Sequence, residues 1–174
     1  MELEDQQQIC DWRIKYNTYS RQGFINDKQQ WLDKQYEWYH SYDRDRNHFF
    51  AIAQNTDEKN NNLLGITGLK DIDYVDYKAE IHHFIGENYI DENISKASID
   101  LICDYAFKDL SLNCVYVETF EHDHKKFNFF KNYGFKHLCL WPQKTATKQK
   151  DNNEVNFINV NIQILLKNGE STDD

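Results

Sequence analysis

Residues 78–135 constrain this chain more than any other stretch. They read as a strand, a loop, a long helix, a dense β run and a second helix: KAEIHHFIGENYIDENISKASIDLICDYAFKDL, then NCVYVETF, then EHDHKKFNFFKNYGF. Ala79 to Ile85 alternates and predicts a strand. Ile94, Ile99, Ile102, Cys103, Ala106 and Phe107 form one apolar stripe, which predicts a helix opened by Asp91 or Asn93 and ending near Leu110. Cys114 to Phe120 predicts a buried strand. His124 to Tyr133 predicts a helix stopped by Gly134 in the place of a C′ glycine. A loop that feeds a helix N-terminus after a strand is a common way to bind phosphate or pyrophosphate. This loop lacks the glycines and basic residues such a site usually carries.

The flanking elements complete one sheet. Residues 4 to about 18 predict a helix on Ile9, Trp12, Arg13 and Tyr16, and Asn26 or Asp27 caps a second helix through about Tyr42. Phe49–Ala53 and Leu63–Lys70 read as strands around a polar turn, Thr56–Asn62. Asp71 to Tyr77 reads as a connector. Lys136–Trp141 and Val155–Leu165 read as two more strands, separated by a charged loop, Gln143–Glu154. Antiparallel strands, a β-α-β-α half and a final hairpin define an α+β (mixed α/β) fold with one central sheet. The expectation is one domain over residues 1–168, with a disordered tail at 169–174.

Composition excludes several classes. The 174 residues suffice for one domain with a substantial core. With 20 basic and 29 acidic residues the formal charge is −9, which argues against a nucleic-acid partner. No apolar run is long enough to span a membrane, and the N-terminus is no signal peptide, so a reducing cytoplasm is the expected location. Cys10, Cys103, Cys114 and Cys139 sit apart in apolar patterns, which predicts buried free thiols rather than disulfides or zinc ligands. No metal site is expected, since His122 and His124 lie where a polar strand-to-helix loop belongs.

An ordered set of motifs resembles the GNAT superfamily of acetyl-CoA-dependent N-acetyltransferases. Asp11-Trp12-Arg13 resembles its first helix, and Trp38-Tyr39 followed by Phe49-Phe50-Ala51-Ile52 its second helix and second strand. Leu64-Gly65-Ile66-Thr67-Gly68-Leu69 and Asp71-Ile72-Asp73 resemble the third strand and its turn, and Ala79-Glu80-Ile81 with Phe84-Ile85-Gly86 the fourth strand. Val117-Glu118 through Asp123, and Phe129 through Phe135, resemble the fifth strand and fourth helix with its terminal Gly-Phe. The resemblance implies a mostly antiparallel twisted sheet of about six to seven strands flanked by about four helices. Its branch includes nucleotide-aminosugar, ribosomal-protein and N-terminal acetyltransferases. The family's first strand has only Met1 to Glu4 to form it here, so the resemblance leaves room for a homodimer or for part of a larger polypeptide.

The resemblance also assigns roles. Acetyl-CoA is the implied co-substrate. Its pyrophosphate falls to the loop and helix start at Asn93, Ile94, Ser95 and Lys96, where Asn93 and Ser95 stand in place of the family's glycines. A backbone N–H near Phe84 or Ile85 is implied for the developing oxyanion, and Asp123 for the pantetheine arm. Phe130 occupies the position of the family's acidic tyrosine and has no proton to give. From the residues themselves, Glu80 and His82 lie two apart on one face of a strand, so either can take the amine's proton. Arg13 suits a diphosphate, and Trp38 and Tyr39 suit stacking on a base or sugar. The expected acceptor is a small primary amine, first the amino group of a nucleotide-linked amino-deoxy sugar of the 4-amino-4,6-dideoxyhexose type. A protein N-terminus is the second reading. A non-catalytic binding domain is the third, on the altered loop and Phe130.

Overall fold

The computed structural model describes residues 5–15, 28–57, 60–86, 92–148 and 155–167. In chain order the elements are α1 (Asp5–Lys15), α2 (Lys28–Ser41), β1 (His48–Asp57), β2 (Asn60–Asp73), β3 (Lys78–Ile85), α3 (Glu92–Asp104), β4 (Cys114–Phe120), α4 (His124–Tyr133), β5 (Lys136–Lys148) and β6 (Val155–Leu166). A single wider turn of π-helix, Tyr105–Asp109, extends α3. Tyr16, Asn26, Asp27, Asp91 and the tail expected at 169–174 lie outside the described residues.

The strands form one six-stranded sheet in the order β1-β2-β3-β4-β6-β5. All neighbours are antiparallel except β3 and β4, which run parallel. That pairing follows from α3, because a strand returning beside its predecessor in parallel needs a crossover of about a dozen residues or more. The α+β architecture expected from the sequence is thus present.

Each face of the sheet carries a separate apolar cluster. On one side α3 and α4 bury Ile99, Ile102, Cys103 and Phe130 against Leu69, Ile81 and Val115. On the other, α1 and α2 bury Ile9, Cys10, Trp12 and Trp31 against Leu63 and Ile66. The buried positions of α3 are Ser95, Ser98, Ile99, Ile102 and Cys103, which is the spacing of one helical stripe. The ends of α4 are set by its capping residues. The Asp123 carboxylate accepts from the Lys126 N–H at 3.0 Å. Gly134 takes φ 122°, and Gly134 and Phe135 N–H donate to Phe130 O at 3.2 and 3.0 Å.

Three stretches differ from the sequence expectation. The polar turn expected at Thr56–Asn62 is shorter, since Thr56 and Asp57 end β1 and Asn60 to Asn62 open β2, paired from Asp57 and Asn60 onward. Asp71–Asp73 is not a connector. It continues β2 through a bulge between Lys70 and Asp73, with Asp71 at φ 53°. Gln143–Lys148 is strand rather than charged loop, because β5 resumes pairing with β6 at Thr145 after a register shift that takes in Pro142 and Gln143. A proline breaks a strand pattern in sequence, yet an edge strand tolerates it at a bulge. The edge position of β5 also corrects the expectation for Cys139, which is exposed, whereas Cys10 and Cys103 are buried and Cys114 half-buried; all four are free thiols.

Candidate active site

The parallel ladder between β3 and β4 is short. Lys78, Ala79 and Glu80 pair with Cys114, Val115 and Tyr116, and beyond these residues the ladder stops. A cavity of about 1250 Å³ occupies this region and reaches both faces of the sheet. Facing α1 and α2, its walls include Arg13, Trp38, Phe49, Glu80, His82 and Phe84. Facing α3 and α4, they include His83, Ser95, Lys96, Lys126 and Phe129.

Period-two alternation along β3 sorts its residues between the two sides. Glu80 is 5% exposed and forms an ion pair with Lys70 at 2.5 Å. The partner is dictated by register, since Lys70 is directly opposite Glu80 on β2. The His82 ring meets Phe49 edge-on at 5.7 Å, and the Arg13 guanidinium lies 4.8 Å over the Phe84 ring. His83 turns to the other face. Its Nε2 is 3.0 Å from Ser98 Oγ, which itself donates to Ser95 O at 2.8 Å. The serine proton is therefore committed, and His83 donates through Nε2–H. Its ring stacks on Phe129 at 6.1 Å.

Both imidazoles are held neutral. Burial, then the Arg13, Lys126 and Lys70 charges, push His82 well below its ordinary range. Burial and Lys126 push His83 down to about 3. Burial also lowers Lys126, against the pull of Asp123 and Glu80. On the same sheet face Lys144 pairs with Glu118, a cavity residue.

The β2–β3 register decides which backbone group faces the opening. Gly86 N–H donates to Leu64 O at 2.8 Å. Antiparallel pairs alternate, so Phe84 and His82 also direct their backbone groups at β2, while Ile85 and His83 direct theirs at the split. Of the two N–H groups singled out in the sequence, Ile85 faces the cavity and Phe84 does not. The His83 carbonyl faces it too, and Lys126 Nζ donates to that oxygen at 3.4 Å.

Other residues singled out in the sequence divide in the same way. Glu80, His82, Arg13, Trp38, Ser95, Lys96 and Asp123 all border the cavity. Asn93 is exposed and Ile94 half-buried, and neither borders it. Tyr39 packs against His40, Tyr42 and the Arg44 guanidinium, away from the opening. Phe130 is 0% exposed and locked between Phe129 and Phe135. It packs in the core and does not border the cavity. Lys70, His83, Thr119 and Lys126 border the cavity without having been singled out. Lys70 was legible only through cross-strand register. Lys126 carried a local signal, being four residues before Phe130 on one helix face. Among the described residues no three His, Cys, Asp or Glu side chains group as metal ligands.

The acetyltransferase (GNAT) domain family matches residues 1–158 of the chain. The chain belongs to the GNAT acetyltransferase family. It is accordingly an acyltransferase, of a family that uses acetyl-CoA as acetyl donor. No curated protein matches it. Among solved structures, this acetyltransferase resembles a variant of the spermidine N-acetyltransferase SpeG from Vibrio cholerae at 17% identity and TM-score 0.71, covering 96% of this chain and 92% of that one. A dodecameric structure of the Vibrio cholerae spermidine N-acetyltransferase gives 17% identity and TM-score 0.67, covering 96% and 91%. At such identities the likeness is one of fold. Among the described residues of the acetyltransferase, no helix is long and apolar enough to cross a membrane.

Proposed function

We propose that the protein transfers the acetyl group of acetyl-CoA to the primary amine of a small acceptor that also carries an anionic group, with the amino group of a nucleotide-linked amino-deoxy sugar as the best fit. One observation carries the choice of acceptor. Arg13, Lys70 and Lys126 come from three different elements, all border the cavity, and all act on His82. Of the carboxylates facing the same side, Glu80 is paired with Lys70 and Glu118 with Lys144, so Arg13 and Lys126 carry the attraction for an anion. A phosphate-bearing amine gains from such a cluster. A polyamine brings further cations into it.

The chain's groups fit the donor. Thr119 Oγ1 is buried at the cavity wall without a hydrogen-bond partner among the described residues, which leaves its hydroxyl able to bond a ligand. Ser95 is a small residue in the first turn of α3, and Lys96 adds a cation there. Glu92 and Asp123 oppose a phosphate, and Lys96 and Lys126 offset them. Bound acetyl-CoA supplies a thioester carbonyl open to attack. The Ile85 N–H directs a donor at the opening, the place for charge developing on that carbonyl oxygen. Glu80 and neutral His82 line the acceptor side and take the amine's proton, directly or through water. Trp38, Tyr42-stacked at 4.7 Å, gives the acceptor a flat apolar wall.

A polyamine acceptor is the second reading, supported by the resemblance to spermidine N-acetyltransferases. The test is calorimetry with acetyl-CoA, followed by turnover with UDP- or dTDP-linked amino sugars, spermidine and short peptides. Micromolar donor binding with acetylation of the sugar nucleotides is expected. Acetylation of spermidine alone would overturn the acceptor assignment, and of peptides alone would select a protein N-terminus. No binding at millimolar acetyl-CoA would leave a binding domain without transferase activity.

A further inference from the structure

Proton supply to the departing sulfur is the step for which the described site has no obvious group. Phe130 carries no acidic proton and has no exposed surface. Tyr133, three residues on, donates its hydroxyl proton to Asp100 at 2.5 Å, and burial raises its pKa. It is a poor acid in that arrangement.

We infer that the Lys126 ammonium is the proton donor to the leaving thiolate. This rests on the transferase reading above. Lys126 lies in the first turn of α4, one turn before Phe130 and on the same helix face. Helical side chains lean toward the helix N-terminus, which carries this one to the mouth of the split rather than into the core. Its Nζ donates to His83 O, a carbonyl on the part of β3 that no longer pairs with β4. The bond is long at 3.4 Å, so little holds the ammonium from a closer acceptor. Two residues along the same strand edge, the Ile85 N–H faces the same opening. An oxyanion donor and a proton donor are thus presented side by side.

The charges around Lys126 suit this task. Asp123 and Glu80 stabilise its ammonium form, whereas burial, Lys70 and Arg13 destabilise it, and the net effect is a pKa below the ordinary 10.5. His83, on its side of the sheet, and His82, across the strand, are both neutral rings. As the acceptor nitrogen bonds to the carbonyl carbon and the carbon–sulfur bond breaks, the electron pair goes to sulfur. Lys126 Nζ passes one proton to that sulfur and is left neutral. Glu80 or His82 holds the proton lost by the amine, and exchange with water restores both groups. The balance is amine plus thioester giving amide plus thiol.

The test compares the wild type with Lys126→Met and Lys126→Arg. Acetyl-CoA affinity is measured by calorimetry, kcat and KM across pH 6 to 10, and the lysine side-chain ¹⁵N shifts of the ligand-free protein across the same range. The expected wild type shows one ammonium titrating below 10.5, absent in Lys126→Met, and a kcat that falls as this group loses its proton. Lys126→Met should lose roughly 10²-fold or more in kcat, the usual scale for a positioned acid, with affinity changed less than about threefold. Arginine keeps the charge but does not release a proton at these pH values. Lys126→Arg should therefore retain affinity and not restore kcat. Unchanged kcat and alkaline limb in Lys126→Met, with or without tighter acetyl-CoA binding, would overturn the inference and leave the transferase reading standing. Full activity in Lys126→Arg would reduce Lys126 to a fixed charge and overturn it as well. A wild type that neither binds acetyl-CoA nor turns over would remove both.

Discussion

The two neutral histidines of β3 make stability depend on pH in a way that can be worked out in advance. His83 titrates near 3 in the folded chain, against an ordinary value of 6.5. Between those values the unfolded chain binds a proton that the native state refuses, so stability rises with pH across this window and falls as the solution is acidified. The contribution is complete above about 6.5 and is lost progressively toward 3. At pH 5, about 1.5 units below the ordinary value, the loss from His83 is about 2 kcal/mol, taking 1.36 kcal/mol per unit. His82 is shifted the same way and adds to the slope. Asp73, held below its ordinary 3.8 chiefly by the Asp76 and Val75 N–H groups, acts mostly below pH 5. Urea unfolding at pH 7.5, 6.5, 5.5 and 5.0 reads the effect directly, provided the m-value stays constant. The control is His83→Gln, which keeps a hydrogen-bonding group toward Ser98 and removes the titration. Its loss between pH 7.5 and 5.0 should be about 2 kcal/mol smaller than the wild type's. A wild-type stability that is flat over this range, or a His83→Gln variant with the full wild-type slope, would refute the reasoning.

Three substitutions test the frame around the cavity. A methyl at Gly86 would lie 1.8 Å from the Trp12 ring, so Gly86→Ala should cost about 1–3 kcal/mol by overpacking and shift the tryptophan fluorescence. Lys70→Met leaves the 5%-exposed Glu80 without its 2.5 Å partner, and a loss of about 3 kcal/mol is expected in thermal unfolding, partly recovered in the Lys70→Met, Glu80→Gln double variant. Asp123→Ala removes the N-cap of α4 and should cost about 1 kcal/mol in chemical denaturation, with a larger effect on acetyl-CoA affinity if the carboxylate also meets the ligand.

What could be read from the sequence was what local chemistry decides. The limits of α4 lie where the sequence puts them, with Gly134 legible as its stop, while the capping role of Asp123 emerges only in the structure. Glu80 and His82 share a cavity-facing side of β3 because side chains alternate along any strand. The Lys70–Glu80 pair was not legible, since it depends on the offset between β2 and β3. Nor was the choice of Ile85 over Phe84, which depends on the same register. The second half of β5 was hidden by Pro142, whose disruption is absorbed at an edge. Lys126 was overlooked for another reason. The family pattern directs attention to the tyrosine position, and a phenylalanine there reads as a lost function until α4 shows what stands one turn away.

The site is more evenly balanced in charge than the chain that builds it. The formal charge is −9, yet Arg13 from α1 and Lys70 from β2 border one side of the cavity and Lys126 from α4 the other, and Lys144 from β5 lies beside Glu118. Gathering these cations is tolerable because Glu80, Glu118 and Asp123 interleave with them. An anionic ligand therefore meets repulsion from the acidic surface at long range and finds cations within reach only inside the split. Charges on the outer surface are screened beyond about 8 Å at physiological ionic strength, and those in the half-buried cavity much less. Added salt should then speed association of acetyl-CoA while changing its dissociation little, the reverse of ordinary steering between opposite charges. Stopped-flow association at 20 and 200 mM salt measures this. A rate that falls with salt would mean that the field reaching solvent near the opening is positive, and that the cations of the cavity, not the acidic surface, govern approach.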